Sequence, residues 1–233
     1  MILGVESTAH TFGVGIVNDK GKVFANVKDS YTSKNIGMIP HEIAEHHQKV
    51  ADKVLKEALK EAKIDWEDIE FIAYSAGPGL DPALWKGYAI VREWAKIYGK
   101  RLVGVNHCCA HLSIGKVWNT LKDPVYIYVS GVNTQVVIQE AGKYRVMGET
   151  LDIGLGNMLD KLGRILELGF PAGPKIEELA RKGKYVQLPY AVKGMDISFS
   201  GLLTRSQQLL KDRKISPEDL CFSVQETAFA MCA

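Results

Sequence analysis

Cysteine is scarce and unpatterned in this sequence. Only Cys108, Cys109, Cys221 and Cys232 occur among 233 residues, and no two are spaced Cys-x-x-Cys. That spacing excludes a thiolate zinc knuckle and gives no disulfide framework, so reduced and partly buried thiols are expected. Long apolar runs are missing too: none approaches the roughly 20 residues a bilayer span needs. The start, MILGVESTAH, sets Glu6 inside a short apolar run without a basic leader, so a cytoplasmic chain with no membrane partner is expected. Neither sign of charge dominates, with 29 Lys and Arg against 27 Asp and Glu and a formal net charge of +2. The field of the whole molecule therefore does not single out a nucleic acid as partner, and a local argument is needed. A Walker A phosphate loop is absent, and GLGNM at 154–158 is too thin to serve as a dinucleotide fingerprint.

What is present is a globular chain, 46% hydrophobic and 24% charged, long enough for one large domain or two lobes. Runs at 2–5, 12–18 and 22–27 are short, β-branched and separated by turn residues, which predicts an antiparallel meander. Residues 40–63 read as an amphipathic helix with Pro40 in its first turn and Ile43, Val50, Val54, Leu55, Ala58 and Leu59 on its apolar stripe. A strand at 71–76, a helix at 83–99, a strand at 102–105 and a helix at 107–119 follow, an alternation that adds a parallel part to the sheet. At 125–149 the three-strand pattern restarts, with SGVNT placed where ESTAHT sits in the first copy. This is an internal duplication of architecture with lobes at 1–119 and 120–233. Two polar strand-turn-strand loops could offer N–H and hydroxyl groups to a polyphosphate, and two ordinary hairpins would read the same way.

The densest chemistry lies in VGVNHCCAHLSIG, residues 103–115. On a helix, His107 and His111 at i and i+4 share a face, whereas Cys108 and Cys109 rotate away and cannot complete a tetrahedral site with both. A metal would need a further ligand from elsewhere, and two packed or surface histidines give the same spacing. Cys108 stands where HExxH peptidases carry their general base, so the spacing argues for a metal more than for a protease. His46 and His47 diverge by about 100° and suit a packed or solvated helix face better than a joint site. Arg92, Lys96 and Lys100 fall at i, i+4 and i+8, a basic stripe that could track RNA phosphates or simply face water.

Together GVESTAHTFGVGIV, PHEIAEHH, AGPGL, GVNHCCAH, YVSGVNTQV, GETLDIGLGNMLDK, GPKIEELA, LPYAVKGMDISFSGLLT and FSVQETAFAM resemble the tRNA N6-adenosine threonylcarbamoyltransferase family. The resemblance is greatest to the archaeal and eukaryotic catalytic subunit of the KEOPS complex, formerly described as a glycoprotease. It implies an α/β actin-like ATPase (ASKHA, duplicated ribonuclease H-like) fold of two lobes, the second incomplete here. It also implies transfer of a threonylcarbamoyl group from threonylcarbamoyl-AMP to N6 of the adenosine 3′ of the anticodon. By the family's motifs, His107, His111 and Tyr128 would hold one iron or zinc ion. Tyr128 and the loop Ser130, Gly131, Val132 and Asn133 would cradle the adenylate (or ATP) phosphate, and Asp160, Gly173 and Glu177 would meet the ribose and base. Glu6 is the candidate for a catalytic polar contact near the metal, with a structural cap as its other reading. The implied partners are tRNA and the other KEOPS subunits, including a small kinase.

The sequence also departs from the family's pattern. Val132 and Ala172 stand where glycine is usual, Asp81 and Trp85 alter the AGPGL turn and the helix after it, and Ile36-Gly37-Met38 replaces a Gly-Gly-Ile. A β-branched Val132 would suit the loop poorly if its φ were positive. The family's last quarter, with a carboxylate that completes the metal site, is not in this sequence. A non-catalytic dimerisation paralogue is therefore a second reading, and a metal-dependent glycoprotease a disfavoured third. The helix at 217–233 carries Leu220, Val224, Ala228 and Met231 on one face. With no cover foreseen for it, a homo-oligomer or a required partner is expected.

Overall fold

The computed structural model describes residues 1–32, 39–117 and 121–233. They form two compact units, one running to Val117 and the other starting at Leu121. The lobe boundary expected at 119/120 and the Ile36-Gly37-Met38 departure lie outside the described residues.

The first unit is built on β1 (Ile2–Glu6), β2 (Thr11–Val17), β3 (Val23–Ser30), β4 (Phe71–Gly77) and β5 (Arg101–Asn106), in the order β3-β2-β1-β4-β5. β1, β2 and β3 pair antiparallel, while β1-β4 and β4-β5 pair parallel, as the alternation predicts. Period-two patterning puts Leu3, Val5, Phe12, Val14 and Ile16 on one face, where they share a core with Val54, Ala58, Val91 and Trp94. Those four belong to α1 (Pro40–Ala62) and α2 (Asp81–Tyr98). Gly4, Gly13 and Gly15 lie on the other face.

α1 ends at Lys63, which takes the left-handed conformation, and α2 ends at Gly99, φ 63°. Lys100 therefore lies past the end of α2 and does not extend a helical stripe with Arg92 and Lys96. Asp81 opens α2, where a carboxylate complements the N-terminal dipole, so that departure suits the helix it starts. Trp85 is 71% exposed with its ring edge-on to Tyr88. His47 is fully buried beside the Phe12 ring, and His46 reaches Asp29 through Nε2 at 2.9 Å. Despite the expected divergence their rings lie edge to face, 5.8 Å apart, and both are engaged within the unit. α3 (His107–Val117) follows β5 directly.

The second unit opens with β6 (Tyr126–Val129), β7 (Thr134–Glu140) and β8 (Lys143–Glu149), an antiparallel meander with its middle strand central, as in the first unit. After it come α4 (Leu155–Ile165), α5 (Gly173–Ala180), the hairpin β9 (Val192–Lys193) and β10 (Asp196–Ile197), α6 (Ser200–Lys211) and α7 (Pro217–Cys232). Ser216 caps α7 by accepting the Asp219 N–H. Asp152 accepts the N–H groups of Phe199 and Ser200, both at 3.0 Å, and fixes the start of α6.

The expectation of an uncovered terminal helix does not hold. Leu220, Val224 and Ala228 are fully buried and Met231 is 4% exposed, in one core with Met158, Leu162, Ile176 and Leu202. Helices of the same unit cover that face, so the argument for an oligomer drawn from it falls. No helix among the described residues is long and apolar enough to cross a membrane.

Candidate active site

The first turn folds inward. Ser7 and Thr8 are 4% and 2% exposed, and Glu6 bends back to accept Thr8 N–H at 2.7 Å and Thr8 Oγ1 at 2.5 Å. The Thr8 carbonyl takes the Leu80 N–H at 2.8 Å. Two glycines make room for the turn. A methyl group on Gly87 would fall 1.8 Å from Ser7 Oγ, and one on Gly79 would fall 2.5 Å from the Thr8 carbonyl. The Thr8 amide and hydroxyl that the sequence offered to a phosphate are thus spent inside the unit.

The other Glu6 oxygen accepts from Ser75 Oγ at 2.7 Å and from His107 Nδ1 at 3.0 Å. Burial pushes this carboxyl up, but the hydrogen bonds from His107, Thr8 and Ser75 outweigh burial and bring it down to about 2. An ionised carboxylate can only accept, so His107 donates its Nδ1–H to Glu6, and Nε2 is the ring nitrogen outside that bond. His111 lies one turn on with its ring 4.5 Å from that of His107 and nearly perpendicular. Burial and then the neighbouring His107 lower the His111 pKa, which favours the neutral ring a metal would bind. A cavity of about 340 Å³ adjoins this cluster and reaches from His107 and Ala110 along the glycine-bearing sheet face to Asn26 and Lys28.

Two imidazoles on one helix face, one oriented by a carboxylate, suit iron or zinc chemically and fill half of a four-coordinate shell. Among the described residues no group of three or more His, Cys, Asp and Glu gathers to hold an ion. Tyr128 stands on β6 in the second unit and is 6% exposed. Glu6 meets His107 directly rather than through water. Its two oxygens accept four hydrogen bonds, one of them from the His107 ring.

In the second unit, Ser130 N–H donates to the Asn133 carbonyl at 2.7 Å and Asn133 N–H to Ser130 Oγ at 2.9 Å. Neither bond uses the N–H groups of Gly131 or Val132. The loop docks on the start of α4, whose Gly156 and Asn157 N–H groups reach the carbonyls of Ser130 and Gly131. Val132 is 70% exposed and is not among the residues with positive φ, so the expected backbone strain does not arise.

Asp160 accepts the Ala172 N–H at 3.0 Å and so ties α4 to the start of α5. Gly173 and Glu177, both on α5, line a cavity of about 370 Å³ with Leu159, Ile176, Gln225, Ala228 and Phe229. Sequence reading missed the last three. Their i, i+3, i+4 spacing on α7, with a glutamine and a half-exposed phenylalanine, was the available signal.

Comparison with solved structures defines the class first. Component A of the (R)-2-hydroxyglutaryl-CoA dehydratase of Acidaminococcus fermentans matches 99% of this chain and 75% of its own, with TM-score 0.58 at 14% identity. The activator of the 2-hydroxyisocaproyl-CoA dehydratase of Clostridium difficile, solved with bound ADPNP, matches 99% and 72%, with TM-score 0.52 at 11% identity. The fold is that of the actin-like ATPases.

Sequence comparison narrows the class. The model of the TsaD family, tRNA N6-adenosine threonylcarbamoyltransferase, matches residues 22–233. The enzyme of that name from Thermococcus sibiricus is 53% identical over 229 residues, 98% of this chain and 70% of that protein. A probable bifunctional tRNA threonylcarbamoyladenosine biosynthesis protein of Thermoplasma acidophilum is 48% identical over 232 residues, 99% of this chain and 44% of that protein. This chain belongs to the tRNA N6-adenosine threonylcarbamoyltransferase family.

Proposed function

We propose that this chain works in the cytoplasm as a tRNA-modifying transferase, moving the threonylcarbamoyl group of threonylcarbamoyl-AMP onto N6 of the adenosine 3′ of the anticodon. The observation that carries the reading is the Glu6–His107–His111 cluster beside an open cavity, in a chain 53% identical to a named transferase. Relatives this similar carry transferase and biosynthesis names, which favours catalysis over the scaffold and glycoprotease readings.

In the reaction the N6 lone pair forms a bond to the carbamoyl carbon, the bond from that carbon to the phosphate oxygen breaks, AMP leaves with the electron pair, and the proton shed by N6 passes to the departing phosphate or to water. Nε2 of His107 and the His111 ring would hold one iron or zinc ion. Such an ion, when bound, supplies Lewis-acid polarisation of the carbamoyl carbonyl. Glu6 holds the His107 tautomer, and Thr8 and Ser75 hold Glu6. The Ser130–Asn133 loop with Tyr128 is assigned to the adenylate phosphate. Asp160, Gly173 and Glu177 are assigned to the ribose and base, an assignment supported for Gly173 and Glu177 by the α5–α7 cavity they line. Other KEOPS subunits, including a small kinase, are the proposed protein partners.

The test is transfer of label from carbon-labelled threonylcarbamoyl-AMP into unmodified tRNA, followed by nucleoside analysis. Label in the N6-modified adenosine, reduced at least about a hundredfold by His107→Ala, is the expected result. Label that stays out of tRNA with all proposed subunits present would overturn the reading.

A further inference from the structure

The linker from the end of α5 to the β9–β10 hairpin reads RKGKYVQLPYAVK at 181–193, with four basic residues and no acidic one, although the chain as a whole is nearly neutral. It is held extended against α7. Lys184 N–H donates to Asp219 Oδ1 at 2.7 Å, Val186 N–H donates to Ser223 Oγ at 2.8 Å, and Leu188 is buried. With its backbone tied down, the segment turns its large side chains outward. Tyr185 is 55% exposed and Tyr190 61%, while Arg181, Lys182, Lys184 and Lys193 are also exposed. The Tyr190 hydroxyl donates to the Ala230 carbonyl at 3.2 Å, which fixes the ring at its outer end.

Three nearby acids are engaged within the unit. Glu177 pairs with Arg181 at 3.0 Å, Asp219 takes the Lys184 N–H at 2.7 Å, and Asp196, across the hairpin from Lys193, takes the Glu149 N–H at 3.0 Å.

We infer that segment 181–193 is a binding surface for single-stranded RNA, with Tyr185 and Tyr190 as stacking platforms and Lys182, Lys184 and Lys193 as phosphate contacts. Five residues of extended chain separate their Cα atoms by at most about 18 Å, a spacing that suits bases a few nucleotides apart. Exposed aromatics interleaved with cations on a preset backbone are what unstacked bases and their phosphates require. An anionic bilayer would instead call for a continuous apolar helix face, which this segment does not have. The inference takes its RNA from the transferase reading and adds the place where that RNA is gripped.

Fluorescence anisotropy of the chain with a labelled anticodon stem-loop RNA, across a salt series, tests it. Tyr185→Ala should weaken binding roughly fivefold or more with the salt slope unchanged, and Tyr185→Phe should restore it. Lys184→Ala and Lys193→Ala should each lower the slope by about 0.7. Unaltered melting curves would show that the variants fold.

RNA affinity indifferent to these changes, tighter binding to a blunt RNA duplex than to the loop, or phosphatidylserine vesicles bound in place of RNA would overturn the surface. The label-transfer assay separates the two ideas. Normal transfer with unchanged RNA affinity in Tyr185→Ala sinks the surface alone, whereas intact RNA binding without transfer sinks the transferase reading alone.

Discussion

Glu6 gathers the hydrogen bonds of three residues around one carboxylate. Its two oxygens collect Thr8 N–H, Thr8 Oγ1, Ser75 Oγ and His107 Nδ1, so the carboxylate is saturated and ionised. Replacing it by alanine would leave the Thr8 N–H and hydroxyl, nearly inaccessible, without their carboxylate acceptor, while Ser75 Oγ keeps the Val5 carbonyl at 3.0 Å, at a cost of roughly 1–3 kcal/mol. The same change would free the His107 ring. Nitrogen-15 NMR of the imidazoles should report an Nδ1–H tautomer in the parent protein and a mixture in Glu6→Ala; an unmoved His107 spectrum would refute the positioning role. Because Glu6 titrates lower when folded, its stabilisation is fully present above pH 4.5 and is lost as pH falls to about 2.

At the scale of elements, the departures from the family's pattern turn out to have local partners. Ala172 is fully buried as the residue before α5, and a methyl group on Gly163 of α4 would lie 2.1 Å from its Cβ. The methyl at 172 is thus housed by its absence at 163. Gly163→Ala alone should destabilise by about 1–3 kcal/mol through overpacking. In an Ala172→Gly background much of that cost should vanish, a coupling of at least roughly 0.5 kcal/mol. Urea melts of the four proteins measure it, and strict additivity would show that the two positions do not share the space.

Period and punctuation made the mixed pairing of the first sheet, the meander repeat and the limits of α1, α2 and α7 legible, because Val14 and Ile16 alternate and Pro40 and Gly99 mark ends. The i, i+4 histidines were legible for the same reason. Inward folding of Ser7-Thr8 was not, since it depends on Gly79 and Gly87 from distant segments. The cover of α7 was not either, because which helices share a core is decided by tertiary packing and not by the apolar stripe of one.

Across the whole molecule, stability rests on two separate cores, and the first contains a buried base. His47 has no accessible surface and packs on Phe12, a residue of the central sheet, with α1 carrying it there. Burial above all, and then the nearby His46, bring its pKa from the ordinary 6.5 down to about 4, against the opposing pull of backbone at Ala9 and Ser7. The folded unit therefore holds His47 neutral where the unfolded chain would protonate it. Since the unfolded state binds more protons between those two values, stability rises with pH there and is lost as pH falls from about 6.5 towards 4. A displacement of that size corresponds to about 3 kcal/mol once pH 4 is reached. Replacing His47 by glutamine keeps a polar side chain of similar length and removes the titration. The parent should lose about that much more stability than His47→Gln between pH 7 and pH 4, read as the difference between their denaturation midpoints for the first unit, since the second unit unfolds around its own core. Parallel pH profiles for the two proteins would mean that His47 charges within the folded state, through a path to water that its burial against Phe12 does not provide.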